Sequence, residues 1–324
     1  MAYQQEAYRR VRQEYEEKAQ RARADADLRT EKMHRLLPAL KELDAQLYHT
    51  SVKIFDALRA QNPQEKLAQV RAENEALLAK RAKLLTDHGY AADCTDVHYA
   101  CKACGDTGFV GTQMCDCMRR RLIAACYDCA GISALAAKQD FSNFSLRYYA
   151  CNPEDLARME ENFRTCKEYA ENFPQVAEKN LLLIGGTGLG KTHLSTSMAK
   201  KLIENGHDVV YVSAQSLFAD YEFERFGRSY GDHSPSRTAR YDTAEVLIVD
   251  DLGTEMQNQF TIAALYAVLN GRLSRGLPMI LNTNLTQKEL LSAYADRITS
   301  RLIGEFRILW FSGEDIRLQK LRER

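Results

Sequence analysis

Apolar positions in the first 90 residues recur at intervals of three and four: Tyr8, Val11, Tyr15, Ala22 and Ala26, then Met33, Leu36, Leu40, Leu43 and Leu47. That spacing keeps one face of an α-helix apolar. The stretch is dominated by Ala, Glu, Lys, Arg, Gln and Leu, all good helix formers, and the first glycine is Gly89. Pro38 predicts a kink or split. Asn62-Pro63-Gln64-Glu65 offers an N-cap, a proline at the first helical position and a carboxylate in the first turn. Leu67, Val70, Leu77 and Leu84 then carry a helix to a stop near Gly89. A helical hairpin or coiled coil is expected over residues 1–90, either as a partner-binding arm or as a solvated bundle or dimerisation stalk.

A further helix is predicted from about Cys117 to Lys138, and Asp140-Phe141-Ser142-Asn143-Phe144 reads as an aromatic-bearing connector. Beyond it, short apolar runs at Leu181 to Ile184, Val209 to Val212, Val246 to Val249 and Met279 to Leu281 alternate with helical patterns. Parallel strands joined by helices produce that alternation, so this half is α/β, a parallel sheet between helices.

A length of 324 residues is enough for about two domains. Lys and Arg total 44 against 44 Asp and Glu, which argues against coating nucleic acid or membrane by bulk charge. A local basic surface remains open. The chain has no run of 18 apolar residues and begins with the polar stretch Met1 to Glu6, so it is expected to be cytoplasmic with no membrane partner. In a reducing compartment the nine cysteines do not read as a disulfide framework, and their clustering from Cys94 to Cys129 points to metal.

Cys101-Lys102-Ala103-Cys104 and Cys115-Asp116-Cys117 are two close pairs separated by the glycine-containing Gly105 to Gly111. A hairpin there returns the second pair to the first, giving Cys101, Cys104, Cys115 and Cys117 as four ligands for a structural zinc ion. The Cys-x-Cys half is less usual than Cys-x2-Cys, so His98 or Cys94 is an alternative for one member. Cys126-Tyr127-Asp128-Cys129 sits among Leu122, Ile123 and Ala125 and reads as helix packing, and Cys151 and Cys166 read as plain thiols.

Gly185-Gly186-Thr187-Gly188-Leu189-Gly190-Lys191-Thr192 follows the apolar run Leu181 to Ile184 and precedes a helical stretch from His193. This is G-x4-G-K-T in strand, loop, helix context, the phosphate-binding P-loop. Glycines let backbone N–H groups turn inward around phosphates, and the helix N-terminus adds its positive end. Lys191 is expected to reach the β- and γ-phosphates of ATP and Thr192 to ligate Mg²⁺. Val246-Leu247-Ile248-Val249-Asp250-Asp251 supplies the acids such a site needs: Asp250 for the Mg²⁺ shell and Asp251 for the attacking water. Asn282-Thr283-Asn284-Leu285 ends a further strand with an amide, and Arg297 and Arg301 stand one helical turn apart, fitting either an exposed helix face or catalysis.

In this order the motifs GGTGLGKTH (Gly185 to His193), LIVDDLGTE (Leu247 to Glu255), NTNL (Asn282 to Leu285), DRITSRLIGEF (Asp296 to Phe306) and GEDIR (Gly313 to Arg317) resemble those of the AAA+ ATPases. More narrowly, together with the cysteine segment, they are similar to the DnaC/DnaI-type bacterial helicase loaders, over about residues 101 to 317. The resemblance implies a loader that hydrolyses ATP, places the replicative DNA helicase on single-stranded DNA and forms a homo-oligomer when ATP-bound. It implies that Asn284 senses the γ-phosphate and that Arg301, rather than Arg297, acts across a subunit boundary. Arg317 is a candidate for a further sensing arginine, and a full C-terminal helical lid is not expected. The expected organisation is a helical arm over 1–90, a zinc knuckle and linker helix over 91–145, and an AAA+ ATPase domain over 146–324.

Phe218, Tyr221, Phe223, Arg225, Phe226, Arg228, Tyr230, Arg237, Arg240 and Tyr241 interleave aromatics with arginines, a composition suited to stacking bases and contacting phosphates of single strands. The bland alternative has Phe218 and Phe226 in the core and a mobile Arg-rich loop. Two rival functions share the ATPase core: a transposition helper of the IstB type, and an adaptor that binds ATP but hydrolyses little. The second is suggested by Asp251, where many AAA+ relatives carry Glu.

Overall fold

Proline placement divides the N-terminal helices. In the computed structural model, which describes residues 2–58, 62–227 and 236–323, α1 (Ala2–Leu36) ends just short of Pro38 and α2 (Pro38–Leu58) begins on it. A proline in the first turn loses no helical hydrogen bond. α3 (Pro63–Asp87) also opens on its proline, although Asn62 makes no side-chain cap bond. The ion pairs Asp44–Arg81 (2.7 Å) and Lys53–Glu73 (2.8 Å) and the Thr50–Asn74 hydrogen bond (3.1 Å) set α2 and α3 antiparallel, the expected hairpin. Met33, Leu40 and Leu85 bury a small apolar cluster with Leu37, Leu84 and Cys94 against it. Leu36 departs from the predicted stripe and is exposed, because the helical register ends there and restarts at Pro38.

The chain groups into two compact units, Arg12–Met118 and Met1–Val11 with Arg119–Arg324. In the first, a two-stranded antiparallel hairpin, β1 (Phe109–Val110) and β2 (Gln113–Met114), follows the helices.

In the second, the predicted continuous helix to Lys138 does not form. α4 (Asp116–Ala130) stops, Gly131 takes φ 82°, and a single turn α5 (Ser133–Ala136) follows. A Cβ at Gly131 would lie 2.9 Å from the Tyr211 carbonyl oxygen, so the chain passes the sheet too closely for a side chain. α6 (Pro153–Asn172) is capped by Asn152, whose Oδ1 accepts from Glu154 N at 3.0 Å.

The sheet comprises β3 (Leu181–Gly185), β4 (Val209–Ser213), β5 (Val246–Leu252), β6 (Met279–Thr283) and β7 (Arg307–Phe311), all parallel, in the order β4-β5-β6-β3-β7. Between and beyond them lie α7 (Lys191–Glu204), α8 (Ala214–Glu222), α9 (Ala239–Thr243), α10 (Gln259–Ser274), α11 (Gln287–Ala293), α12 (Asp296–Gly304) and α13 (Ile316–Arg322). Alternate strand residues feed two cores. Leu181, Leu183 and Ile248 pack with Leu194 and Met198 of α7, while Leu182, Ile184 and Val249 pack with Leu265 and Leu269 of α10. Arg272 is fully buried beneath the second core. Its guanidinium donates to the carbonyls of Tyr241 (2.7 Å), Ala244 (3.0 Å), Glu245 (3.3 Å) and Pro278 (2.8 Å), joining the approaches to β5 and β6.

Candidate functional site

The P-loop links β3 to α7, as the sequence predicts. Gly188 and Gly190 take φ 73° and 85°, a region that favours glycine. Space requires it too: a Cβ at Gly190 would lie 2.8 Å from the Phe144 ring, and one at Gly188 would strike the Asp315 carboxylate. Tyr149 donates its hydroxyl to Leu189 O at 2.9 Å, and Ile316 N donates to Gly188 O at 3.1 Å, so the loop is held from both sides.

Lys191 is buried, and its Nζ donates to Gly185 O and Gly186 O at 2.6 Å each. Burial pulls its pKa down to about 8, against the opposing pull of Asp250 and Asp251. Thr192 Oγ1 lies 3.3 Å from Asp250 Oδ1. Asp250 is buried at the end of β5 and accepts from the backbone N–H of Asp251 at 3.0 Å. A register shift between Val249 and Leu252 interrupts the β5–β6 ladder, and Asp251 there takes φ 55° and turns outward. Bulges of this kind re-aim side chains. Asp251 Oδ1 then accepts from Asn284 Nδ2 at 3.1 Å.

These groups border a cleft of about 610 Å³, which Thr187, Lys191, Thr192, Asp251 and Asn284 help to line. Its other wall is formed by Arg317, the candidate sensing arginine, together with Phe144, Arg147, Tyr148 and Lys320, to which the sequence brought no role. The Arg147 and Lys320 cations lie 4.6 and 5.3 Å from the Tyr148 ring centroid. The Asp140 to Phe144 connector reaches this wall because Asp140 pairs with Lys200 at 2.7 Å, which holds its carboxyl down to about 2, and forms a capping box with Asn143. His193 lines the cleft but spends its Nε2 on Asp140 O at 2.9 Å and packs edge-on against Phe144.

Arg301 stands apart from the cleft. Its guanidinium donates to Arg297 O (2.8 Å), Tyr266 Oη (3.2 Å) and Asn270 Oδ1 (3.0 Å). Of the Arg/aromatic series, Phe218 and Tyr241 are buried and Arg240 pairs with Asp220, whereas Phe226 is 68% exposed, opposite to its core reading. Arg225 lies over Phe226 and Phe260, and Arg237 over Phe223 at 3.8 Å. Arg228 and Tyr230 lie outside the described residues.

In the other unit the sulfurs of Cys101, Cys104, Cys115 and Cys117 all lie within 4.8 Å of one another, with Cys101–Cys115 at 3.9 Å and Cys104–Cys117 at 3.6 Å. Zinc–sulfur bonds of about 2.3 Å in a tetrahedron give edges of about 3.8 Å, so the donor set fits zinc. His98 and Cys94 are not part of this group, and Cys94 packs against the Met33 cluster. Asp106, at φ 55°, accepts from the N–H groups of Ala100 and Cys101, both at 2.8 Å, and so fixes the first cysteine turn. Backbone donation from Cys104 holds the Cys101 thiol down to about 7, while burial pushes Cys117 up to about 12.

A P-loop between parallel strand and helix, with paired acids ending β5 and β6 inserted between β5 and the P-loop strand β3, defines a P-loop ATPase of AAA+-like fold. The sequence model for the IstB-like ATP binding protein family matches residues 130–324, and the chain belongs to that family. Protein XkdC of the phage-like element PBSX, from Bacillus subtilis (strain 168), is 26% identical over 230 residues, covering 65% of this chain and 80% of that protein. The chromosomal replication initiator protein DnaA of Rickettsia bellii (strain OSU 85-389) is 28% identical over 175 residues, covering 53% of this chain but only 37% of DnaA. A crystal structure of the DnaC helicase loader aligns with a TM-score of 0.45 at 16% identity, over 55% of this chain and 99% of that one. No helix among the described residues is long and apolar enough to cross a membrane.

Proposed function

We propose that this chain is an ATP-dependent loader of the replicative DNA helicase onto single-stranded DNA. The observation that carries the reading is the pairing of an ATPase unit with a separate unit built from long helices and a four-cysteine knuckle, a surface for a client apart from the chemistry. The similarity of this chain to part of a replication initiator supports it. In this reading residues 1–90 form the helicase-binding arm, 91–145 the knuckle and linker helix, and 146–324 the ATPase domain.

Lys191 binds the β- and γ-phosphates as a cation, and the backbone N–H groups from Gly186 to Thr192 surround them. Thr192 and Asp250 would hold Mg²⁺, which supplies neutralisation of the phosphate charge. Asp251, its carboxylate oriented by Asn284, aligns the water that attacks the γ-phosphorus. Arg301 serves the site of a neighbouring copy in an ATP-bound homo-oligomer. Zinc held by Cys101, Cys104, Cys115 and Cys117 supplies fold stability to the knuckle. The exposed Phe226 and the arginines beside it meet single-stranded DNA.

The test uses the full chain, the replicative helicase of the same host and a single-stranded DNA circle. ATP-dependent retention of helicase on the circle is expected. Absence of both a helicase complex and retention overturns the reading. A transposition helper is the second reading, favoured by the IstB-like family and by XkdC's place in a phage-like element. ATP-dependent stimulation of a transposase encoded beside the gene, without helicase binding, would select it.

A further inference from the structure

Behind the Asp250 carboxylate lies a buried polar cluster. Tyr211, opposite Ile248 in the β4–β5 register, donates its hydroxyl to Asp250 Oδ2 at 2.6 Å and lies 3.1 Å from Ser195 Oγ. Asn282 on β6 sends its amide Nδ2 to Asp250 Oδ1 at 2.7 Å and to Ser195 Oγ at 2.8 Å. Ser195 donates in turn to Thr192 O at 3.2 Å, one turn back along α7. Ser195 and Asn282 are fully buried, and Tyr211 is only 8% exposed.

The ring of Tyr211 fills the same core as Val209 and Ile248, and an apolar side chain would serve that packing alone. A hydroxyl brought into this core carries a desolvation cost unless it is bonded. Here its partner is the one buried carboxylate at the nucleotide site, and a hydrogen bond to a charged acceptor is among the stronger kinds. Both oxygens of Asp250 are thereby held on the α7-facing side of the sheet: Oδ1 by Asn282, and Oδ2 by Tyr211. The network also closes on itself, since Thr192 reaches Asp250 directly and again through Ser195, which accepts from the same Asn282 amide that donates to Asp250.

We propose that Tyr211 is a positioning residue for the magnesium-side carboxylate: its hydroxyl, backed by Ser195 and Asn282, fixes the rotation of Asp250 without touching nucleotide. The proposal rests on reading Asp250 as that carboxylate. Groups that orient metal-side ligands characteristically change metal affinity or activity by about 10–100-fold when removed.

The test is Tyr211→Phe in the full chain, read by the Mg²⁺ concentration giving half-maximal hydrolysis and by the affinity for a fluorescent ADP analogue in EDTA. Tyr211→Phe should raise the Mg²⁺ requirement about tenfold and leave metal-free nucleotide affinity within about twofold. Ser195→Ala should move the Mg²⁺ requirement the same way by less, and it decides the matter should Tyr211→Phe not fold. An unchanged Mg²⁺ requirement in a folded variant overturns the proposal, as does an equal loss of metal-free binding, which would mark a packing role. Asp250→Asn separates the two levels. If it shifts the Mg²⁺ requirement and neither Tyr211→Phe nor Ser195→Ala does, only the proposal fails; if Asp250→Asn itself has no effect, the reading of Asp250 fails.

Discussion

Asn284 Nδ2 donates to Asp251 Oδ1 at 3.1 Å, joining the end of β6 to the outward turn of β5. Asp251 is exposed, with φ 55°, so few other groups restrain its carboxylate. An aspartate one methylene shorter than glutamate depends more on such a restraint to meet the attacking water. Asn284→Ala should therefore lower kcat about 10- to 100-fold, less than the roughly 10²- to 10⁴-fold that a positioned acid or base itself supplies, while ATP affinity stays within about threefold. Steady-state hydrolysis and analogue binding on the same preparation check this. An unchanged kcat removes Asn284 from the reaction.

The depressed pKa of Lys191, about 8, gives nucleotide binding a definite pH dependence. A polyphosphate beside the amine favours its charged form and raises the pKa again. Binding at pH 8.5 should take up a proton, and binding at pH 6.5 should not. Calorimetry in two buffers of different ionisation enthalpy measures the uptake. Affinity should fall as pH rises through about 8. The stability term has its own sign: the folded value lies below the model-peptide value of 10.5, so burial of charged Lys191 costs stability fully below pH 8. That cost is relieved as pH rises from about 8 toward 10.5, because the unfolded chain then binds the additional proton.

The cysteine site yields a prediction that does not depend on turnover. Tyr15 of α1 is buried with its hydroxyl on the Cys117 sulfur, within the same unit as the four cysteines. Purified protein should contain about one zinc per chain, the stoichiometry of a four-thiolate site. Chelation, or Cys104→Ser, should raise hydrogen exchange in residues 99–118 and in the turn of α1 around Tyr15. Nucleotide binding at the P-loop should remain. Unaltered exchange after metal loss would show that these sulfurs do not hold the knuckle together.

The legible parts of this molecule are those in which one short segment carries both its element and its chemistry. The P-loop lies between an apolar run and a helical one, so motif and context are read together, and four of the five strands announce themselves as apolar runs. β7 carries a similar apolar run, Ile308 to Phe311, but it lies between the Asp296 to Phe306 and Gly313 to Arg317 motifs and forms a sheet edge with Trp310 exposed. The helix break at Gly131 was hidden because its cause is distant: the Tyr211 carbonyl lies against it. Distance also hid Tyr211, Ser195 and Asn282, which come from three elements; Tyr211 and Asn282 meet at Asp250, and Ser195 bonds to Asn282. Asn282 stands within the NTNL segment two residues before Asn284, and both amides reach the acids, Asn282 at Asp250 and Asn284 at Asp251. The Phe144 and Tyr148 wall had a partial signal in the aromatic connector, whose destination is set by the Asp140–Lys200 pair.

Arg301 separates action within a chain from action between chains. Its guanidinium lies 4.8 Å from the Tyr266 ring centroid and bonds to Tyr266, Asn270 and Arg297 O, none of which lines the nucleotide cleft of its own chain. A role at the γ-phosphate must then be exercised on another copy. Arg301→Ala should lower hydrolysis by about 10³-fold, the lower end for an arginine supplied to a phosphoryl transfer, with ATP affinity nearly unchanged. Lys191→Ala should be inactive through loss of phosphate binding while keeping its arginine. A mixture should recover activity, because a chain bearing Arg301 can serve the intact P-loop of one lacking it. The recovery should vanish on dilution as the assembly dissociates. Failure of the mixture to exceed the sum of its parts, under conditions where the two variants co-sediment, removes the assignment of Arg301 to a neighbour's site.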